Sequence, residues 1–201
     1  MTIPSSIQRA GAVRPGVVAM IRGRITEREG NFGKVLRTFV YESDGITEHE
    51  GENLGRVRRA LVFEKDGKTL TEKIGGKEGK VKRTFEFEQD HVIEYETSPY
   101  GKRKSTYLFD PAEHRILERE GGKYGTLRRG LVFEPEGVIE GEGGGHGPVR
   151  RMFAFDRDRP AIYERVGGHF GEIRRTFVFE QMDPSVLRNF DAFLQFAFLV
   201  G

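Results

Sequence analysis

Residues 33–51 read GKVLRTFVYESDGITEHEG, and their alternation decides the fold. Val35, Arg37, Phe39 and Tyr41 fall on one parity, and Leu36, Thr38, Val40 and Glu42 on the other. A two-residue period is that of a strand, because successive side chains of an extended backbone point to opposite faces. Ser43, Asp44 and Gly45 then supply turn chemistry and residues 46–50 run back, so the stretch is a β-hairpin.

The phrase returns along the chain. Gly33, Gly79, Gly125 and Gly171 lie 46 residues apart and open GKVLRTFVYE, GKVKRTFEFE, GTLRRGLVFE and GEIRRTFVFE. Gly55, Gly101 and Gly147, again 46 apart, open GRVRRALVFE, GKRKSTYLFD and GPVRRMFAFD. The seven units alternate between 22 and 24 residues, too short to bury a core singly, and must stack on one another. The length difference sits in the first turn, where four steps separate Glu42 from Ile46 and six separate Glu64 from Leu70; both are even, so the faces keep their parity. The expected fold is all-β: seven tandem antiparallel hairpins, a 46-residue double repeat, forming one large twisted, curled or barrel-like sheet with a C-terminal helix. Strands about 4.8 Å apart would make a flat sheet roughly 70 Å wide, and native twist argues for curling or closure over an open ribbon.

Pairing Glu42 with Ile46, as a three-residue loop implies, sets the expected faces. One carries an aromatic band that includes Phe39, Tyr41, Phe85, Phe87, Phe177 and Phe179. The other carries Glu48, Glu72, Glu94, Glu118, Glu140 and Glu164 among basic Arg58, Lys82, Lys104, Arg128, Arg150 and Arg174, as on a solvated sheet surface. Arg37, Arg59, Arg83, Arg129, Arg151 and Arg175 share one repeat position on the aromatic face, where this register provides no acidic partner. Such a row could grip an anionic ligand. The other reading places it at a rim, with the guanidiniums in water or stacked on rings. In the fourth unit Ser105 interrupts the row, with Arg103 two positions earlier.

The ends do not repeat. Residues 1–15 read as a flexible arm, 16–181 as the hairpin domain with its first strand over 17–25, and 182–201 as an apolar helix or docking tail. Asp183 and Pro184 suit a helix start, and Val186, Leu187, Phe190, Phe193, Leu194 and Phe198 form a helical stripe. The helix would plug the curled sheet, or Phe190, Phe193, Leu194, Phe196 and Phe198 would serve as an interaction tail for another subunit. Strand edges at the first and last hairpins would offer a second route to self-association.

Composition narrows the chemistry. With 33 basic and 31 acidic residues the net charge is +2, too balanced for a general polyanion binder, so nucleic acid is not an expected partner. The absence of cysteine rules out disulfides and thiolate metal sites and fits a reducing compartment. The start MTIPSSIQRAGAVRPG has no apolar core of a signal peptide, and nowhere do 18 apolar residues run together; no transmembrane segment and a cytoplasmic location are expected. The five histidines form no HxH or HxxxH pair, although His146 and His169, at equivalent Gly-rich turns, could be neighbours in space. Carboxylates recur as a ladder in which no pair stands apart for acid–base work, and no nucleophile or nucleotide motif occurs. No catalytic residue, metal or cofactor is expected.

GKVLRTFVYESDGITEHEG and GKRKSTYLFDPAEHRILERE resemble the YD repeats of RHS-type proteins, a likeness that covers residues 16–181. MORN-type hairpin repeats are similar in length, but their Gly and Trp pattern is absent and the chain has no Trp. The resemblance implies hairpins coiled into a shell, with a scaffold or shell function. The expected function is a non-catalytic structural or protein-interaction scaffold capable of self-assembly; the alternative is a module that binds an anionic or amphipathic ligand on the Arg and aromatic face.

Overall fold

A computed structural model describes residues 22–52 and 54–201; the expected arm, and residues 17–21 of the expected first strand, lie outside the described residues. The strands in chain order are β1 (Gly23–Glu29), β2 (Val35–Glu42), β3 (Gly45–Glu50), β4 (Val57–Phe63), β5 (Thr69–Ile74), β6 (Lys80–Phe87) and β7 (His91–Glu96). There follow β8 (Arg103–Asp110), β9 (Arg115–Glu120), β10 (Leu127–Glu134), β11 (Gly137–Glu142), β12 (Val149–Phe155), β13 (Ala161–Val166) and β14 (Ile173–Glu180). Each pairs antiparallel with its sequence neighbours, and β14 returns to pair with β1, closing a fourteen-stranded barrel. The exposed strand edges expected at the first and last hairpins are therefore absent among the described residues, since each edge satisfies the other.

The register differs from the expected one by a single residue. Glu42 pairs with Gly45 and Tyr41 with Ile46, because the tip is a two-residue loop of Ser43 and Asp44 instead of a three-residue one. The consequence is general: Phe39 now faces Glu48 and Phe85 faces Glu94 in short units, and in a longer unit Leu61 faces Glu72. The glutamates expected on the solvated face all point into the barrel.

Opposite the tips, each descending strand meets the next across a Gly-rich turn, and there the register slips by one residue. The extra residues are Leu36, Arg58, Lys82, Lys104, Arg128, Arg150 and Arg174, so six of the seven bulges carry a cation. A bulge bends its strand and increases local twist, and repeating it once per hairpin turns a ribbon into a barrel. The unit-opening glycines are required at the same turns: at Gly79 a Cβ would collide with the carbonyl of Ile74, and the same clash recurs at Gly171 with Val166.

Fourteen tilted strands enclose a lumen roughly 25 Å across between backbones, wider than wall side chains alone can fill. The remaining space is occupied by the C-terminal helix α1 (Phe190–Val200). Where the sequence suggested a helix from Pro184, residues Pro184–Arg188 form a 3-10 turn and the α-helix begins after it. The chain must first leave the wall at the end of β14 and turn into the lumen, and Asn189 then caps the new start, its Oδ1 accepting from the backbone N–H of Asp191 at 2.9 Å and Ala192 at 3.2 Å. Inside, Phe198 stacks on Phe85 at 3.9 Å, Phe193 meets Phe133 and Phe153 edge-on at 5.3 and 5.5 Å, and Phe196 meets Phe177 at 5.0 Å. Phe193, Leu194, Phe196 and Phe198 are buried and Phe190 packs against Phe133, so the aromatic band and the apolar tail cover each other.

One group in this plug opposes folding at neutral pH. Burial pushes the Asp191 carboxyl up to about 6. The folded chain thus holds this proton at a pH where the unfolded chain has released it, so the contribution of Asp191 improves as pH falls through 6. We expect Asp191→Asn to raise Tm at pH 7.5, by on the order of 1 kcal/mol of stability, and to flatten the stability profile between pH 5 and 7; urea titrations across that range measure it.

Candidate functional site

The Arg row and the Glu ladder meet in one ring. Arg37 lies between Glu27 and Glu48, Arg59 between Glu48 and Glu72, and Arg83 between Glu72 and Glu94. Arg129 lies between Glu118 and Glu140, Arg151 between Glu140 and Glu164, and Arg175 between Glu164 and Glu27, which carries the series across the β14–β1 seam. The Nη1 contacts of Arg37, Arg83 and Arg151 measure 3.2, 3.1 and 3.0 Å. The expectation that this row lacks acidic partners is thus corrected: the register shift brings a carboxylate to each side of every guanidinium. Arg37, Arg83, Arg151 and Arg175 also lie over the rings of Phe39, Phe85, Phe153 and Phe177 in the next layer.

The ring holds the end of the helix. Arg83 donates through Nη2 to the carbonyl of Phe198 at 3.1 Å and Arg175 to that of Val200 at 2.9 Å, while Arg59 reaches the carbonyls of Phe198 and Leu199. The last carbonyls of a helix have no partner within it and carry the negative end of its dipole, so cations are the fitting cap.

Burial alone would raise the Glu72 carboxyl, but the charges and hydrogen bonds of Arg83 and Arg59 outweigh it and hold the group below its ordinary value. Glu140 is lowered against the same burial by Arg129 and Arg151, and Glu164 by Arg175 and Arg151. A lowered carboxyl contributes stability above its unfolded pKa and loses it as pH falls through the folded one, so the share of Glu72, Glu140 and Glu164 is lost only in acid.

Ser105 leaves one gap in the alternation, and its unit compensates. Ser105 Oγ donates to Glu118 at 3.1 Å, the Tyr107 hydroxyl donates to Glu94 at 2.9 Å, and Lys104 reaches Glu94 at 3.1 Å from the neighbouring bulge. Tyr107 stands where the other units have Phe39, Leu61, Phe85, Leu131, Phe153 and Phe177, so the unit without the arginine is the one with a hydroxyl in the next layer. Burial, followed by the charges of Glu118 and Glu94, pushes the Tyr107 hydroxyl well up and keeps it a donor.

The basic residues expected on the solvated face stand instead at the open mouth beside this ring. Lys82 reaches Glu72 at 3.4 Å, and Arg128 pairs with Glu120 at 3.0 Å. A cavity of about 320 Å³ opens here, lined by Arg37, Glu48, Arg58, Arg59, Glu72, Ile74 and Lys82.

The Gly-rich turns fold back on the outer wall. Thr38, Thr84, Thr106 and Thr176, at one repeat position, donate to the first carbonyl of a turn, those of Gly51, Thr97, Gly121 and Gly30, at 2.8, 2.5, 2.5 and 2.6 Å. Arg119 and Arg165 donate to the carbonyls of Gly125 and Gly171 at 2.9 and 3.0 Å. Lys77 reaches the tip residues Glu42 and Asp44, and Lys123 reaches Asp90. The residue before each unit-opening glycine rides on these turns, and there Tyr100, Tyr124 and Phe170 are fully exposed, at 98%, 100% and 103%. The alternation of the sequence does not single out these three, because they stand in turns that belong to neither strand face. His146 and His169, on two such turns, engage Arg115 and Glu134 respectively. Among the described residues no group of three or more His, Asp or Glu side chains is arranged to hold a metal ion.

No protein-family model, no curated protein and no solved structure matches the chain.

Two substitutions test the ring. Glu72→Ala strips two arginines of a fully buried partner and should lower unfolding free energy by about 3–5 kcal/mol in denaturant titration, whereas Glu136→Ala at a hairpin tip should change it by under about 0.5 kcal/mol. Tyr107→Phe removes a donor from Glu94 and should cost about 1–2 kcal/mol; adding Ser105→Arg to that variant restores the alternation and should recover the loss.

Proposed function

We propose that the chain is a non-catalytic interaction module whose working surface is the outside of the barrel, with the aromatic side chains of the Gly-rich turns as its contacts. One observation carries this reading: the interior is committed to its own packing, with the Arg ring paired and the helix enclosed, while Tyr100, Tyr124 and Phe170 stand wholly in solvent. Large aromatic side chains held by an ordered turn are costly to leave wet and are favoured anchors at interfaces. The scaffold role implied by the likeness to coiled hairpin repeats agrees with it. The apolar tail contributes to this function from within, as the plug that keeps the wall rigid.

The test is site-specific crosslinking with a photoreactive phenylalanine analogue at 100, 124 or 170 in cells producing the protein. Discrete adducts from these positions, with none from position 136 on a hairpin tip, are the expected result. Adducts from none of the three would overturn the reading.

The mouth cavity supports a second reading, an anionic ligand held by Arg37, Arg58, Arg59 and Lys82. Calorimetric titration with phosphate and citrate checks it: heat abolished by Arg58→Glu with Lys82→Glu supports a site, and no heat at low salt removes it.

A further inference from the structure

The first and fifth turns differ in a way that the repeat makes informative. In the first (residues 30–33), Phe32 lies against the barrel wall: its ring meets Tyr163 edge-on at 6.0 Å, and the Arg159 guanidinium sits 4.9 Å above it. Its backbone N–H faces the Thr176 hydroxyl at 3.4 Å. The fifth turn (residues 121–125) is one residue longer, and Tyr124, the counterpart of Phe32, is fully exposed. Ile93 occupies the wall position of Tyr163, and Thr106 that of Thr176. The two turns are anchored alike, Thr106 donating to Gly121 and Thr176 to Gly30. In the fifth turn an open groove of about 430 Å³ lies beside the wall, lined by His91, Ile93, Arg103, Thr106, Lys123 and Tyr124.

We propose that this groove docks a segment of a partner protein that presents an aromatic side chain next to a carboxylate. The aromatic ring takes the place against the wall that Phe32 takes in the first turn, between Ile93 and Tyr124. The carboxylate follows from charge: of the cations at the groove, Lys123 is held by Asp90 at 3.1 Å, and Arg103, exposed at its edge, has the neutral Tyr95 hydroxyl beside it. A short aromatic segment suits a groove this size, with most of its binding free energy concentrated in one buried ring. The inference rests on the interaction reading above and names its site and partner chemistry.

The experiment is selection of a phage-displayed random peptide library on the full chain, followed by fluorescence polarisation with the enriched peptides. We expect enriched sequences to pair an aromatic residue with Asp or Glu. Tyr124→Ala, and replacement of the peptide's aromatic residue by Ala, should each weaken binding about tenfold or more, while Tyr124→Phe should retain it. Arg103→Glu should weaken acidic peptides selectively. Enriched peptides that lack an aromatic residue, or that bind Tyr124→Ala as tightly as the unaltered chain, would overturn the site. Dependence on Tyr100 or Phe170 instead would also overturn it but leave the interaction reading standing. Absence of any enrichment overturns the groove, and the crosslinking result at the three positions then decides the broader reading. A Tyr124-dependent dimer in light scattering would assign the groove to a second copy and also overturn the proposal.

Discussion

A sheet of fourteen strands that closes on itself encloses more space than its own side chains occupy, and the rest of the molecule answers that constraint. Phenylalanines from the wall reach inward, a short apolar helix enters where β14 ends, and the two surfaces meet in edge-on and stacked aromatic contacts. Closure also sets how the helix ends. Its last carbonyls arrive at a layer where an apolar wall would leave them without donors, and three arginines of the ring meet them there. Those arginines can be largely buried because each stands between two carboxylates; Arg175 carries the series to Glu27 across the β14–β1 seam, and its two ends, Glu94 and Glu118, are met by Tyr107 and Ser105. Packing, capping and charge balance thus depend on the same closure.

Repetition makes this economical and also limits what it can do. A residue type at one repeat position becomes a layer around the whole barrel, so Arg makes a ring, Thr makes a set of turn anchors, and Gly makes a set of close turns. Residues spread evenly for architecture leave few unique positions for chemistry. The informative places are where units differ: Ser105 with Tyr107 in the ring, and Phe32 against Tyr124 on the outer turns. In each case the change at one position is accompanied by a local difference, a hydroxyl donor in the first and a groove in the second.

Much of the fold could be read from residues alone. The hairpin count, the aromatic band and the apolar helix follow from period and punctuation, and all are present. The candidate site was half legible. The period puts Arg37, Arg59 and their counterparts in an inward-facing row, but it does not put their carboxylate partners on the same face. The cause was one turn: a two-residue tip at Ser43 and Asp44 where three were assumed, which rotates each returning strand by one residue and carries Glu48 and its counterparts from outside to inside. The exposed aromatics were missed for a different reason. Tyr124 has no alternating pattern around it, and whether such a residue covers the wall or projects from it depends on turn length and on anchors two strands away.

The sequence by itself determined what is local and periodic: which residues extend, where the chain turns, which positions recur, and that a C-terminal apolar helix would need cover. Only the tertiary structure decided closure, register and the meeting of Arg with Glu. Closure sums a small bend at each of seven bulges around the whole sheet, and register depends on the geometry of each tip. Neither quantity is contained in any one segment, because a strand's period defines two faces without saying which of them its neighbour will share.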